Sequence, residues 1–215
     1  MVSFFVHIDV LIQGGERMYN LEIPDSKATQ EATRLVYDIS PEFLYNHCMR
    51  TYAFGGALGD HYGFKYDREL FYLASILHDV GLTDHVCRKH SFEHEGADHA
   101  ERFLHTHGFA QDKIELVREA IIWHTSEIAA AKQPEIALVH FGAGMDALGL
   151  RHEDIPEEAF LYIVETYPRL GFKQAMIQLI QYDAGLKEAL LPDNLSSSLL
   201  RMGFADWVTN APFRE

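Results

Sequence analysis

His78 and Asp79 set an imidazole beside a carboxylate at the end of an apolar run, Leu73-Ala74-Ser75-Ile76-Leu77, and Gly81 follows closely. A helix that turns Leu73, Ile76 and Leu77 inward is largely buried. Its last turn then delivers the pair into an interior where an unpaired charge is expensive. A buried acid and imidazole need a shared partner, and a metal ion is the simplest one. The alternative is a histidine that donates to a backbone carbonyl while Asp79 turns to solvent. Two further residues fit the metal reading. His47 lies among apolar neighbours, and Asp146 is an acid inside the small, apolar stretch Phe141-Gly142-Ala143-Gly144-Met145-Asp146-Ala147-Leu148. Taken alone, Asp146 reads better as a cap or a helix-to-helix hydrogen-bond partner. Two histidines and two aspartates converging would make a mixed nitrogen and oxygen site suited to zinc, iron or manganese. One ion would then account for four buried polar groups at once.

The elements that must position these residues are all helical. Pro24-Asp25-Ser26 starts a helix over 28–37. Ser40-Pro41-Glu42-Phe43 combines an N-cap serine, a proline at the first helical position and an acid in the first turn. Apolar residues then keep helical spacing to about residue 61, with His47 and Arg50 one turn apart. Asp67 opens the helix that ends at His78-Asp79. Further helices are predicted over 91–106, 111–124, 134–148, 156–167, 172–186 and 195–208. Alternating strand pairs with hairpin turns, tandem repeats and flexible linkers are not evident. The expectation is an all-α fold: one compact helical domain over 25–215, its metal-binding core at about 40–150. Residues 1–24 precede it as an extension whose apolar opening reads as a short strand or an added segment.

Lys plus Arg number 18 against 32 Asp plus Glu, a formal net charge of −14. Such a surface repels phosphate backbones and anionic lipid, which argues against nucleic-acid and membrane partners. It still permits a small anionic substrate, because a bound cation reverses the local field. No apolar run approaches the roughly 18 residues that span a bilayer. Cys48 and Cys87 form no disulfide framework and suit reduced thiols, so a cytoplasmic location is expected. A small-molecule substrate is the expected partner, with self-association left open. Of the 13 histidines, His85, His90, His99, His105, His107, His140 and His152 are assigned to surface or structural roles.

The order His47, then His78-Asp79, then Asp146 in a helical chain resembles the HD superfamily of metal-dependent hydrolases. Members bind a divalent ion through a first His, an adjacent His-Asp pair and a distant Asp, which implies His47, His78, Asp79 and Asp146 as ligands. The wider motifs are Asn46-His47-Cys48-Met49-Arg50-Thr51-Tyr52, His78-Asp79-Val80-Gly81-Leu82-Thr83-Asp84, Ser91-Phe92-Glu93-His94-Glu95-Gly96-Ala97 and Ala120-Ile121-Ile122-Trp123-His124-Thr125-Ser126. They resemble the cyanamide-hydratase-like branch, named for fungal and yeast enzymes that add water to cyanamide to give urea at a zinc site. The implied cofactor is one divalent transition metal, zinc first, with Fe2+, Mn2+ and Ni2+ as alternatives. Two departures stand out. Leu82-Thr83-Asp84 follows Gly81 where many phosphohydrolases carry a cation, and Phe92 occupies a place that is His in two-metal members. Both favour a single metal and weaken a phosphate reading, although Arg50 and Lys89 remain within sequence reach of an anion.

The resemblance implies a metal-dependent hydrolase or hydratase for a small molecule, such as water addition to a cyanamide- or nitrile-like group. The alternatives are phosphomonoester or nucleotide hydrolysis and a non-catalytic metal-bearing module. Adding water across a nitrile requires a general acid. His124 is the first candidate, its other reading being an offset to a helix C-terminal dipole. Glu93 and Thr83 follow as supporting catalytic residues. Arg50 and Asp84 are candidate substrate contacts, Arg50 reading equally as the ion-pair partner of a buried acid.

Overall fold

A computed structural model describes residues 22–86, 89–189 and 191–215, with strand backbone at 9–11 and 17–20. Outside these lie most of the apolar opening, and Cys87. The strands β1 (Asp9–Leu11) and β2 (Arg17–Asn20) pair antiparallel. This small hairpin departs from the expectation that strand pairs would be absent. Everything else regular among the described residues is helical, and none of those helices is long and apolar enough to cross a membrane. Cys48 is buried and unbridged.

Helix α1 (Lys27–Ile39) begins at a reciprocal cap, with Ser26 Oγ accepting from Thr29 N and Thr29 Oγ1 accepting from Ser26 N, each at 3.1 Å. Ser40, read from sequence as the next N-cap, instead closes α1 by donating its backbone N–H to Val36 O. Extended Pro41 caps α2 (Glu42–Tyr62), a one-residue shift of the boundary. Most of α2 is buried, including Asn46, His47 and Arg50. Helix α3 (Arg68–Leu77) starts on Asp67, whose carboxylate accepts from Glu69 N and Leu70 N, and ends in the His78-Asp79 turn. A short 3-10 turn, Val80–Leu82, leads toward α4 (Phe92–Thr106) and then α5 (Gln111–Trp123), which ends at His124.

Helix α6 (Pro134–Leu148) lies along α2 in the most extensive helix pair of the fold. Gly142 permits that approach, because a Cβ there would sit 2.0 Å from Thr51 O. The pairing brings Asp146 level with His47. The C-terminal third holds α7 (Glu157–Thr166), α8 (Phe172–Lys187), α9 (Leu195–Met202) and α10 (Phe204–Asn210). A single helix over 195–208 was expected. Gly203, at φ 98°, adopts a left-handed conformation and splits it in two.

The main core is built by the helices up to α7. A second apolar cluster joins Phe172, Met176, Ile180, Leu199 and Val208 of the C-terminal helices to Leu44, Leu82 and Phe92. The His78-Asp79 turn lies where these two clusters meet.

Candidate metal centre

His78 caps α3, and its Nδ1 lies 2.7 Å from Ser75 O. His124 caps α5 in the same manner, its Nδ1 2.6 Å from Ile121 O. In each case Nδ1–H donates to the carbonyl three residues earlier, which leaves Nε2 without a proton. His47, on α2, donates its Nδ1–H to Asp146 Oδ2 at 2.6 Å, so its Nε2 is bare as well.

The three Nε2 atoms face one carboxylate. Asp79 Oδ2 is 3.4 Å from His47 Nε2 and 3.3 Å from His78 Nε2, and Asp79 Oδ1 is 3.5 Å from His124 Nε2. His47 Nε2 and His78 Nε2 stand 3.3 Å apart. All four residues are buried. Lone pairs and a carboxylate thus converge, in a dry place, with no donor among them. This arrangement repels itself unless a proton on an imidazole Nε2 or a cation sits in its midst, and its nitrogen and oxygen donors suit a divalent metal. His47, His78 and Asp79 already offer ligand atoms within 4.8 Å of one another.

The titration behaviour expresses the same field. Burial alone would lower the His47 pKa, but the Asp146 and Asp79 carboxylates outweigh it and raise the value. Burial pushes against ionised Asp79 too, yet the imidazoles of His78, His47 and His124 hold it well below the ordinary carboxylate range. His124 is pushed down to about 4, by burial first and then by His78. An interior that draws a proton onto His47 draws a divalent cation for the same reason.

Asp146, expected as a ligand, stands on the opposite side of the His47 ring from the cluster. Its oxygens are fully engaged there: Oδ1 accepts from Arg50 Nε and Arg169 Nη1, both at 2.7 Å, while Oδ2 accepts from His47 Nδ1 and, at 2.9 Å, from Arg50 Nη2. Burial would raise its pKa, but the Arg50 guanidinium and then His47 hold it far below the ordinary value. Asp146 therefore fixes the tautomer and rotation of the His47 ring.

Arg50, named as a substrate contact, is the partner of that acid instead. Its Nη1 donates to Tyr167 O at 2.9 Å and Pro168 O at 3.1 Å, so four of the five N–H groups of this fully buried guanidinium are committed and it does not line the cavity. Arg169 escaped sequence reasoning altogether, because a buried arginine in a loop leaves no periodic trace. It stacks over Phe172, with Cζ 4.6 Å from the ring centroid, and precedes Leu170, a non-glycine residue at φ 54°. Such a conformation costs about 1–2 kcal/mol.

Three other expected site residues stand away from the cluster. Thr83 Oγ1 donates to Val80 O at 2.7 Å and accepts from His85 N at 3.3 Å, closing the 3-10 turn. Asp84 is exposed. Glu93 is buried but faces Ser91 and the Lys187–Asp183 pair, and burial pushes it up to about 7. None of the three lines the cavity that opens above the cluster.

That cavity holds about 200 Å³. His47, Asp79 and His124 form its floor, and Thr125, Glu127 and His140 also reach it. His140, assigned from sequence to a structural role, donates Nδ1–H to His124 O at 2.8 Å, and burial lowers its pKa, so it is a neutral imidazole of the cavity. Among the described residues, no lysine or arginine lines this space.

The helical fold and the His-Asp cluster define a metal-dependent HD protein, and residues 44–164 match the HD domain family, to which the chain belongs. Two curated relatives are similar to the chain. The chain is 29% identical to cyanamide hydratase DDI2 and to cyanamide hydratase DDI3 of Saccharomyces cerevisiae (strain ATCC 204508 / S288c). Each match runs over 167 residues, 73% of this chain and 74% of the relative.

Proposed function

We propose that this protein is a single-metal hydratase or hydrolase that adds water to a small uncharged molecule of the cyanamide or nitrile class. His47, His78, Asp79 and His124 are the ligand set of this reading, with zinc the preferred ion for three imidazoles and one carboxylate. The observation that carries it is the set of three bare Nε2 atoms facing one carboxylate with no donor between them. A divalent ion in such a site acts as a Lewis acid and makes water acidic enough to be a nucleophile near neutral pH.

The chain's own residues supply orientation and dryness. Ser75 O and Ile121 O fix the rings of His78 and His124, and Asp146 fixes His47. His124 leaves the general-acid role for that of a ligand, because its Nδ1 proton is committed to Ile121 O. His140 and Glu127 are then the titratable cavity residues outside the ligand set that could hold a proton near the substrate. Hydrolysis of a phosphomonoester is the weaker reading, since Arg50 is consumed by Asp146 and no cationic side chain lines the described cavity.

Metal content and turnover test the proposal together. Purified protein should carry about one zinc, Fe2+, Mn2+ or Ni2+ per chain and release urea from cyanamide. His124→Ala should lower the metal content. Phosphate release from a nucleotide without any urea would favour the weaker reading. Absence of metal together with a melting temperature unmoved by chelator would overturn both.

A further inference from the structure

The polar lining of the cavity is His47, Asp79 and His124 at the floor, with Thr125, Glu127 and His140 on one side. Above the floor, Leu82, Phe92, Met176, Ile180, Leu199 and Phe204 form apolar walls supplied largely by the C-terminal helices. At the mouth stand Leu150, Met202 and Trp207, large apolar side chains that are 50%, 56% and 46% exposed. Among the described residues that line the cavity, Glu127 is an exposed carboxylate.

A molecule as small as cyanamide would use the floor and leave the apolar walls facing water. Water against apolar walls lacks the polar partners that hold it, and a hydrocarbon group displaces it favourably. The acidic Glu127 and the chain's net charge of −14 disfavour an anion in this cavity.

Resting on the site proposed above, we infer that the preferred substrate pairs an uncharged polar head with a hydrocarbon tail, as in an alkyl or aryl nitrile or an N-substituted cyanamide. The head meets the histidine-aspartate floor. The tail lies between α8 and α9 and ends at Met202 and Trp207. Leu199, Met202 and Trp207 therefore determine specificity for tail length.

Trp207 supplies its own reporter. The chain has two tryptophans, Trp123 and Trp207, so Trp123→Phe leaves a single indole at the cavity mouth. Titration of the metal-replete Trp123→Phe protein with propanenitrile, butanenitrile, pentanenitrile and hexanenitrile should perturb the Trp207 emission. Kd should tighten about fourfold per added methylene, the increment expected for burying one such group. Met202→Glu, at an exposed position that tolerates substitution, should flatten that series.

The chelator-treated protein, in which a head group has no ion to bind, should favour hexanamide over hexanoate at least tenfold. A Kd independent of chain length, or hexanoate bound as tightly as hexanamide, would overturn the inference. The two readings fail differently. Metal-free protein with a persistent chain-length series sinks the metal reading alone, whereas metal-bearing protein with a flat series sinks this one alone.

Discussion

Replacing Asp146 with asparagine separates support of a ligand from ligation itself. The carboxylate is wholly buried and accepts four hydrogen bonds, three of them from the two guanidiniums of Arg50 and Arg169. Asparagine keeps the shape but removes the anion, leaving buried Arg50 without its counter-charge and Arg169 with Glu215 alone. Breaking a buried ion pair from one side typically costs about 3–5 kcal/mol, a large part of the roughly 5–15 kcal/mol that holds a domain together. Urea titration of the metal-free protein should show this loss as a lower midpoint with an unchanged slope. The pH dependence follows from the depressed Asp146 pKa. Its folded value lies below its unfolded value, so its stabilisation is present above about pH 4 and is lost as acidification proceeds. Asp146→Asn should therefore lose less stability than the wild type between pH 5 and strong acid. Zinc affinity, measured by competition with a chelator, should fall about 10–100-fold, the effect of losing the carboxylate behind a ligand. Asp79→Ala, which removes a donor, should cost far more. If Asp146→Asn left metal-free stability unchanged yet lost zinc as completely as Asp79→Ala, Asp146 would be a ligand and the reasoning would be refuted.

Other perturbations act on separate parts of the fold. Glu93 has a folded pKa raised to about 7 by burial, so its penalty grows as pH rises from the unfolded value near 4.5. Glu93→Gln should stabilise the protein at pH 8, by up to about 3 kcal/mol, and change little at pH 4, as paired urea titrations would record. Gly142→Ala drives a methyl into Thr51 O and should destabilise by about 1–3 kcal/mol, lowering the melting temperature through separation of α2 and α6. Asp84→Asn changes an exposed residue outside the cavity and should leave kcat/KM within about twofold. Extraction of the ion should lower the melting temperature by an amount that grows with free metal on readdition, which differential scanning calorimetry would measure.

Much of this was legible in the order of residues. Caps such as Ser26 and Asp67 announced helix starts, and the apolar run before His78 announced a buried end. His124 repeats the design of His78, with a carbonyl three residues back holding Nδ1, and the likeness of the two helix ends was visible in the sequence. What the carbonyls do to the tautomer was not, since that depends on ring rotation in the folded state. Asp146 shows where such reading stops. An acid among small apolar residues must have a buried partner, but a ligand and a ligand's support look alike in sequence. The difference rests on which face of the His47 ring it meets and on Arg169, which arrives from a loop 23 residues downstream. His140 was passed over because one histidine on an apolar helix carries no spacing signal.

The support behind His47 also bears on the order in which the protein can assemble. His78 and Asp79 are neighbours, and His124 lies on the second helix after them, whereas His47 and its acid are 99 positions apart. Closing that distance carries a chain-entropy cost that local helix formation does not, and contacts of this span form slowly. A chain synthesised as far as Trp123 and His124 holds every ligand of the proposed set but neither Asp146 nor Arg169. Tight ion binding thus depends on the closure of long loops made by the later half of the chain. An ion that binds the completed fold best rewards that closure and draws the last steps of folding to completion.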